Sequence, residues 1–175
     1  MFVDNEEKPF LPTGVFLPTY CGNSPCAEGR DFAVLAKKAG KSIITKFGEV
    51  KKLEDAVSKG VYSGKFDQLD HAVIVVSVDG ILIIQKAKRE ILHNIVIKAV
   101  CYSGVVECGN FFDFYCFVAF EERRNIGICH LFACEKGQPA TIILAIKRAI
   151  TGILIISALF QNYKTCVMCQ VINFM

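Results

Sequence analysis

The stretch HAVIVVSVDGILIIQ, residues 71–85, decides the fold. Ala72 to Val78 is apolar and rich in β-branched side chains, which pack well on a pleated surface. Val78-Asp79-Gly80-Ile81 then sets Asp-Gly between two such runs, and Ile81 to Gln85 is the second. Asp-Gly accepts the positive φ of a tight hairpin turn, so the stretch predicts an antiparallel hairpin. The same texture continues downstream in Ile91 to His93, Ile95 to Tyr102, Phe111 to Phe120 and Ile126 to Cys134. Turn signals separate these runs at Ser103-Gly104, Cys108-Gly109-Asn110 and Arg124-Asn125, and another follows at Lys136-Gly137. This spacing predicts an antiparallel meander.

Upstream, across the polar loop Gly60 to Asp70, the period changes. Phe32, Leu35, Ala36, Ala39, Ile43, Phe47, Val50 and Leu53 recur at three- and four-residue steps and predict a helix from about Arg30 to Leu53. Gly40 and Gly48 weaken or divide it, and Asp31 suits the dipole at its start. Val15 to Tyr20 is a first strand that Pro18 places at an edge or bend, and Cys21 to Pro25 reads as turn chemistry. Beyond the meander, Pro139 stands near a helix start. Ala140 to about Ile156 predicts a helix buried on a broad face, with Lys147 and Arg148 on one side. The fold class is α+β. A leader spans residues 1–12, the domain residues 13–156, and an apolar tail residues 157–175.

Composition narrows the function classes. Hydrophobic residues make up 53% of the 175, which excludes a mainly disordered chain. The net charge of +3 is too mild to indicate nucleic acid. The most apolar window is ATIILAIKRAITGILIISALF, residues 140–160, but Lys147 and Arg148 leave a clean run of only 12 residues. A spanning helix needs roughly 20. The start MFVDNEEKPF has no signal-peptide pattern. The nine cysteines are odd in number and read as free thiols in a reducing cytosol.

No catalytic constellation is visible, and the chain reads as a non-enzyme without cofactor. Cys166 and Cys169 form a Cys-x-x-Cys pair. A structural zinc would need two more ligands, and Cys129, His130 and Cys134 sit in a strand whose alternate side chains diverge. No metal site is therefore expected. His130 reads as structural, while His71 and His93 have no partners identifiable in the sequence.

Six short motifs in order resemble the phosphotyrosine-binding (PTB) domain family of the Disabled, Numb and amyloid-precursor-binding adaptors. They are Tyr20-Cys21-Gly22-Asn23, Glu28-Gly29-Arg30, Val76-Ser77-Val78-Asp79-Gly80-Ile81, Ala99-Val100-Cys101-Tyr102, Phe112 to Val118, and Cys129-His130-Leu131-Phe132-Ala133-Cys134. The resemblance implies a pleckstrin-homology-like (PH-like) fold. This is a curved antiparallel β-sandwich or partly open barrel of about seven strands. It carries an inserted helix after the first strand and is capped by a C-terminal helix.

The resemblance also implies a cytoplasmic adaptor that binds Asn-Pro-x-Tyr peptides of receptor tails by strand addition. By correspondence the receiving strand is Ile97 to Ser103, with Ile97, Val100, Cys101, Tyr102 and Ser103 in contact. The far wall is the last helix, through Ile146, Ala149, Ile150 and Ile153. Ile150 stands where the family often places a Phe. Phosphate-reading members carry an Arg where this chain has Gly127, and Cys101 replaces a serine hydroxyl, so phosphorylation is expected to matter little.

Two other readings stay open. From Arg30 to Lys59 eight basic residues face four acidic ones. Arg30, Lys37, Lys38, Lys41 and Lys46 would then hold a phosphoinositide head group at the inner face of the plasma membrane, each worth about 1 kcal/mol. A solvated helix face is the plainer reading of them. Alternatively, the tail after Gly152, with Lys164 as its single charge, would drive oligomer formation.

Overall fold

The computed structural model describes residues 13–60 and 69–153. The deciding stretch forms β3 (Asp70–Val76) and β4 (Gly80–Gln85), paired antiparallel from Ala72↔Gln85 to Val76↔Ile81. Ser77 closes the turn: its hydroxyl accepts the N–H groups of Asp79 and Gly80. Around this hairpin stand β1 (Gly14–Phe16), β2 (Thr19–Pro25), β5 (Glu90–Val96), β6 (Val100–Cys108), β7 (Phe112–Glu121) and β8 (Ile126–Glu135). The sheet runs β5-β4-β3-β2-β8-β7-β6, with β1 also on β3. Helices α1 (Phe32–Lys46) and α2 (Val50–Lys59) are inserted after β2, and a last helix, α3, spans residues 138–153. This is the expected α+β class, an open antiparallel sheet with an inserted helical segment and a terminal helix.

Strands β7 and β8 are buried on both faces. Phe114, Cys116, Val118, Cys129 and Leu131 pack under α1 and α2. Tyr115, Phe117, Phe132 and Cys134 point into the bend of the sheet. There they meet Ile142, Ala145, Ile146 and Ala149 of α3. A strand covered on both sides reads as a continuous apolar run, and this accounts for much of the hydrophobic content. Each fully buried aliphatic side chain contributes about 1.5–3 kcal/mol, so α3 is held by its stripe of core residues.

Local readings change in four places. The inserted helix is two helices, and the break is at Gly48 (φ +101°), not Gly40. Asp31 caps α1, accepting from Ala33 and Val34 N–H. Cys21 to Pro25 is strand rather than turn, because β8 supplies a ladder partner. Gly22 (φ +114°) absorbs a bulge there. The predicted run Ile95 to Tyr102 crosses a corner: β5 ends, a 3-10 turn occupies Ile97–Ala99, and β6 begins. Ser103-Gly104 lies within β6, where Gly104 makes room for the Tyr102 ring rather than a turn.

Gly40 has a packing role instead. A Cβ there would stand 2.7 Å from Val106 Cγ2 and 3.0 Å from its Cγ1. In an open helix Gly→Ala gains about 1 kcal/mol. Here Gly40→Ala is expected to cost about 1–2 kcal/mol, because overpacking outweighs propensity. The urea midpoint should fall, and a rise would show that α1 can slide over β6.

Candidate functional site

Among the described residues, strand β6 is the last of the sheet and pairs with β7 alone. Its other side presents unpaired backbone N–H and C=O groups, a template for one more strand. Two register shifts, between Val100 and Tyr102 and between Val105 and Glu107, bend this edge. Val100 packs against the interior core, while Tyr102 packs against the core under the helices. Ser103 Oγ lies 2.8 Å from the Tyr115 hydroxyl. Cys101 is exposed, its thiol directed at the Val118 carbonyl at 3.4 Å. Partial burial raises the Cys101 pKa, which keeps it a neutral, weak donor.

The second wall comes from α3. Its core stripe is Ile142, Ala145, Ile146 and Ala149. One flank abuts β1 and the β3–β4 turn: a Cβ on Gly14 would meet Ala145, and one on Gly152 would meet Val78. At about 100° per residue, the opposite flank carries Ile143 and Ile150. Both are half-buried against the interior core, as are Ile153 and Val100.

Of the nine residues expected at the groove, the structure leaves six with accessible surface: Val100, Cys101, Tyr102, Ser103, Ile150 and Ile153. The other three are buried. Ile97 lies in the 3-10 turn ahead of β6 and is fully buried, while Ile146 and Ala149 are core residues of α3. A helix that plugs a sheet must spend its central stripe on the core. Only its flanks can meet a ligand. Sequence periodicity marked the stripe but not which flank is free, so the half-buried Ile143 beside Ile150 was not singled out.

Arg30, Lys37, Lys38, Lys41 and Lys46 are all exposed. On α1 the four lysines spread over the whole solvent half, with Lys46 about half a turn from Lys37. Lys41 also stands 4.0 Å from the Glu107 carboxylate. This is a diffuse positive face. Gly127 is buried: a Cβ there would meet Val118 at 2.9 Å, with Cys26 and Phe32 close behind. Space for an arginine side chain at that position is therefore taken up.

A second polar cluster escaped the sequence entirely. Tyr20, Asn23, His93 and His130 converge at the sheet interior, with the Tyr20 hydroxyl 3.2 Å from His130 Nδ1 and 3.3 Å from His93 Nε2. Burial depresses the His130 pKa to about 3, helped by His93, and lowers that of His93. The participants are separated by 73 and 110 positions in the chain, so no local spacing betrays them.

Cys166, Cys169 and the apolar tail lie outside the described residues. Among the described residues no helix is long and apolar enough to cross a membrane.

Comparison with known proteins matches residues 30–156 to the phosphotyrosine interaction domain (PTB/PID). No curated protein matches the chain. Among solved structures, the chain resembles the C-terminal phosphotyrosine interaction domain of APBB2 from mouse, determined in solution. The TM-score is 0.59 at 17% identity, over 86% of this chain and 94% of that one. At that identity the likeness is one of fold.

Proposed function

The chain belongs to the phosphotyrosine interaction domain (PTB/PID) family, and from that premise we propose that it is a non-enzymatic adaptor binding Asn-Pro-x-Tyr-type receptor-tail peptides. The observation that carries this reading is the open edge of β6 together with the half-buried flank of α3. An extended peptide gains ladder hydrogen bonds from the edge, and its apolar side chains gain contact with Ile143 and Ile150. Binding is expected to depend little on phosphorylation. A tyrosine phosphate wants a charge-assisted fork, and Gly127 and Cys101 supply none.

Titration of paired plain and phosphorylated Asn-Pro-x-Tyr peptides tests the proposal. Ile150→Asp is expected to weaken the plain peptide by at least about tenfold, the equivalent of one lost apolar contact and a buried charge. The residue is only half-buried, so the fold should survive. An Ile150→Asp domain that binds undiminished would place the peptide elsewhere. A hundredfold preference for the phosphorylated form would overturn the phosphate-independent reading.

A further inference from the structure

A cavity of about 1000 Å³ opens between β5, the end of β7 with its turn into β8, and β2. None of the residues expected to bind peptide or head group lines it. Its polar lining includes His93, His130 and Asn23 beside a charged stretch from Glu121 to Arg124, and Ile95, Ala119 and Ile128 contribute apolar wall.

The Tyr20 hydroxyl fixes the chemistry of this wall. It accepts from Asn23 Nδ2 at 3.0 Å and lies within hydrogen-bond distance of both imidazoles. A phenol has one proton. It can donate to one ring only, and the other ring must turn its own N–H toward the oxygen. Both rings are neutral near pH 7, since burial lowers both pKa values. A neutral imidazole carries one donor and one acceptor. The two remaining nitrogens, His93 Nδ1 and His130 Nε2, are therefore one donor and one acceptor, whichever way the Tyr20 proton points.

Neither nitrogen has a hydrogen-bond partner among the described residues, although His130 is only 3% exposed. The ring centroids are 4.7 Å apart. Both rings line the cavity, and a donor and an acceptor side by side on its wall match a ligand that shows both. The mouth adds charge. Arg124 is engaged by Glu121 at 3.6 Å, whereas Lys98, Arg123 and Glu122 make no ion pair among the described residues and leave a net charge of +1.

We propose that this cavity is a binding site for a small organic anion with a planar hydrogen-bonding head. The head sets adjacent donor and acceptor groups against His93 and His130. The anionic group lies at the mouth with Lys98 and Arg123. A cavity of this size accommodates such a molecule. Lys98 and Ala99 place the cavity beside the start of β6, but it lies on other side chains than the proposed groove and does not rest on the peptide reading.

Nucleoside monophosphates carry both parts and serve as probes. The whole chain is titrated calorimetrically with AMP, GMP, CMP and UMP. Ribose 5-phosphate supplies the anion without the head, and the nucleosides supply the head without the anion. At least one nucleotide is expected to bind about tenfold or more tighter than either fragment. Its addition should shift the imidazole ¹⁵N resonances of His93 and His130. His93→Phe and the surface double variant Lys98→Ala/Arg123→Ala should each weaken it by about tenfold or more. Because the double variant alters only exposed side chains, its result does not depend on core packing. The proposal is overturned if no nucleotide binds at millimolar concentration, if ribose 5-phosphate binds as tightly as the nucleotide, or if binding survives the double variant.

Discussion

Glu54→Ala is expected to lower the unfolding free energy by about 3 kcal/mol. Glu54 sits on α2 yet is only 1% exposed. Its Oε1 accepts the backbone N–H groups of Phe111 at 2.8 Å and Phe112 at 3.0 Å. Those two donors belong to the turn between β6 and β7. Gly109 leaves room for the carboxylate, since a Cβ there would overlap it. The side chain thus ties the inserted helices to the sheet. Alanine removes two charge-assisted hydrogen bonds and leaves both N–H groups without their acceptor. Glu54→Gln keeps one carbonyl acceptor and should recover roughly half of the loss. Thermal and urea melts of both variants measure this. An alanine variant within about 0.5 kcal/mol of the parent would mean that water replaces the carboxylate.

The second large effect is a dependence on pH. Folding holds His130 at a pKa of about 3, against an ordinary value of 6.5. Between these values the unfolded chain binds a proton that the folded chain refuses, so acid favours unfolding. The His130 contribution is complete above pH 6.5 and is lost progressively toward pH 3. At pH 5 this alone costs about 2 kcal/mol relative to pH 8. His93, also lowered by burial, acts in the same direction. His130→Asn keeps a polar partner for Tyr20 but cannot titrate. The variant should be less stable at pH 8, because the ring stacked on Phe117 is gone. Its stability should nevertheless fall less steeply from pH 7 to 5. Identical slopes for parent and variant would show that His130 is solvated in the folded state.

Much of the fold was legible because its signals are local. Asp79-Gly80 specified a hairpin through two residues, and Arg124-Asn125 and Lys136-Gly137 marked turns found where expected. The failures share a cause of a different kind. Cys21 to Pro25 looks like a turn until β8 pairs with it, and nothing near residue 21 announces that partner. Gly48 and Gly40 are the same residue type in the same periodic run. Only the approach of Val106 distinguishes the packed glycine from the breaking one. The proposed groove was half legible: motif order pointed to β6, which lies at the end of the strand order. The division of α3 into core stripe and free flank required knowing that Ala145 faces β1. The Tyr20 hub was beyond reach, since its rings come from β2, β5 and β8.

The pairing of β2 with β8 has a consequence for how the chain is made. Thr19 meets Ala133 and Pro25 meets Ile128, contacts that span more than 100 residues. A ribosome releases β2 long before its partner exists. In that interval the nascent chain can form only the pairings among β1 to β7, and α3, which covers the inner face, emerges last of the described elements. Loop closure of this length slows folding. It also leaves the doubly apolar segment around Phe114 to Val118 uncovered, with few charges to discourage association. Yield in cells should therefore follow the speed of translation and the supply of chaperones more closely than the equilibrium stability of the finished domain.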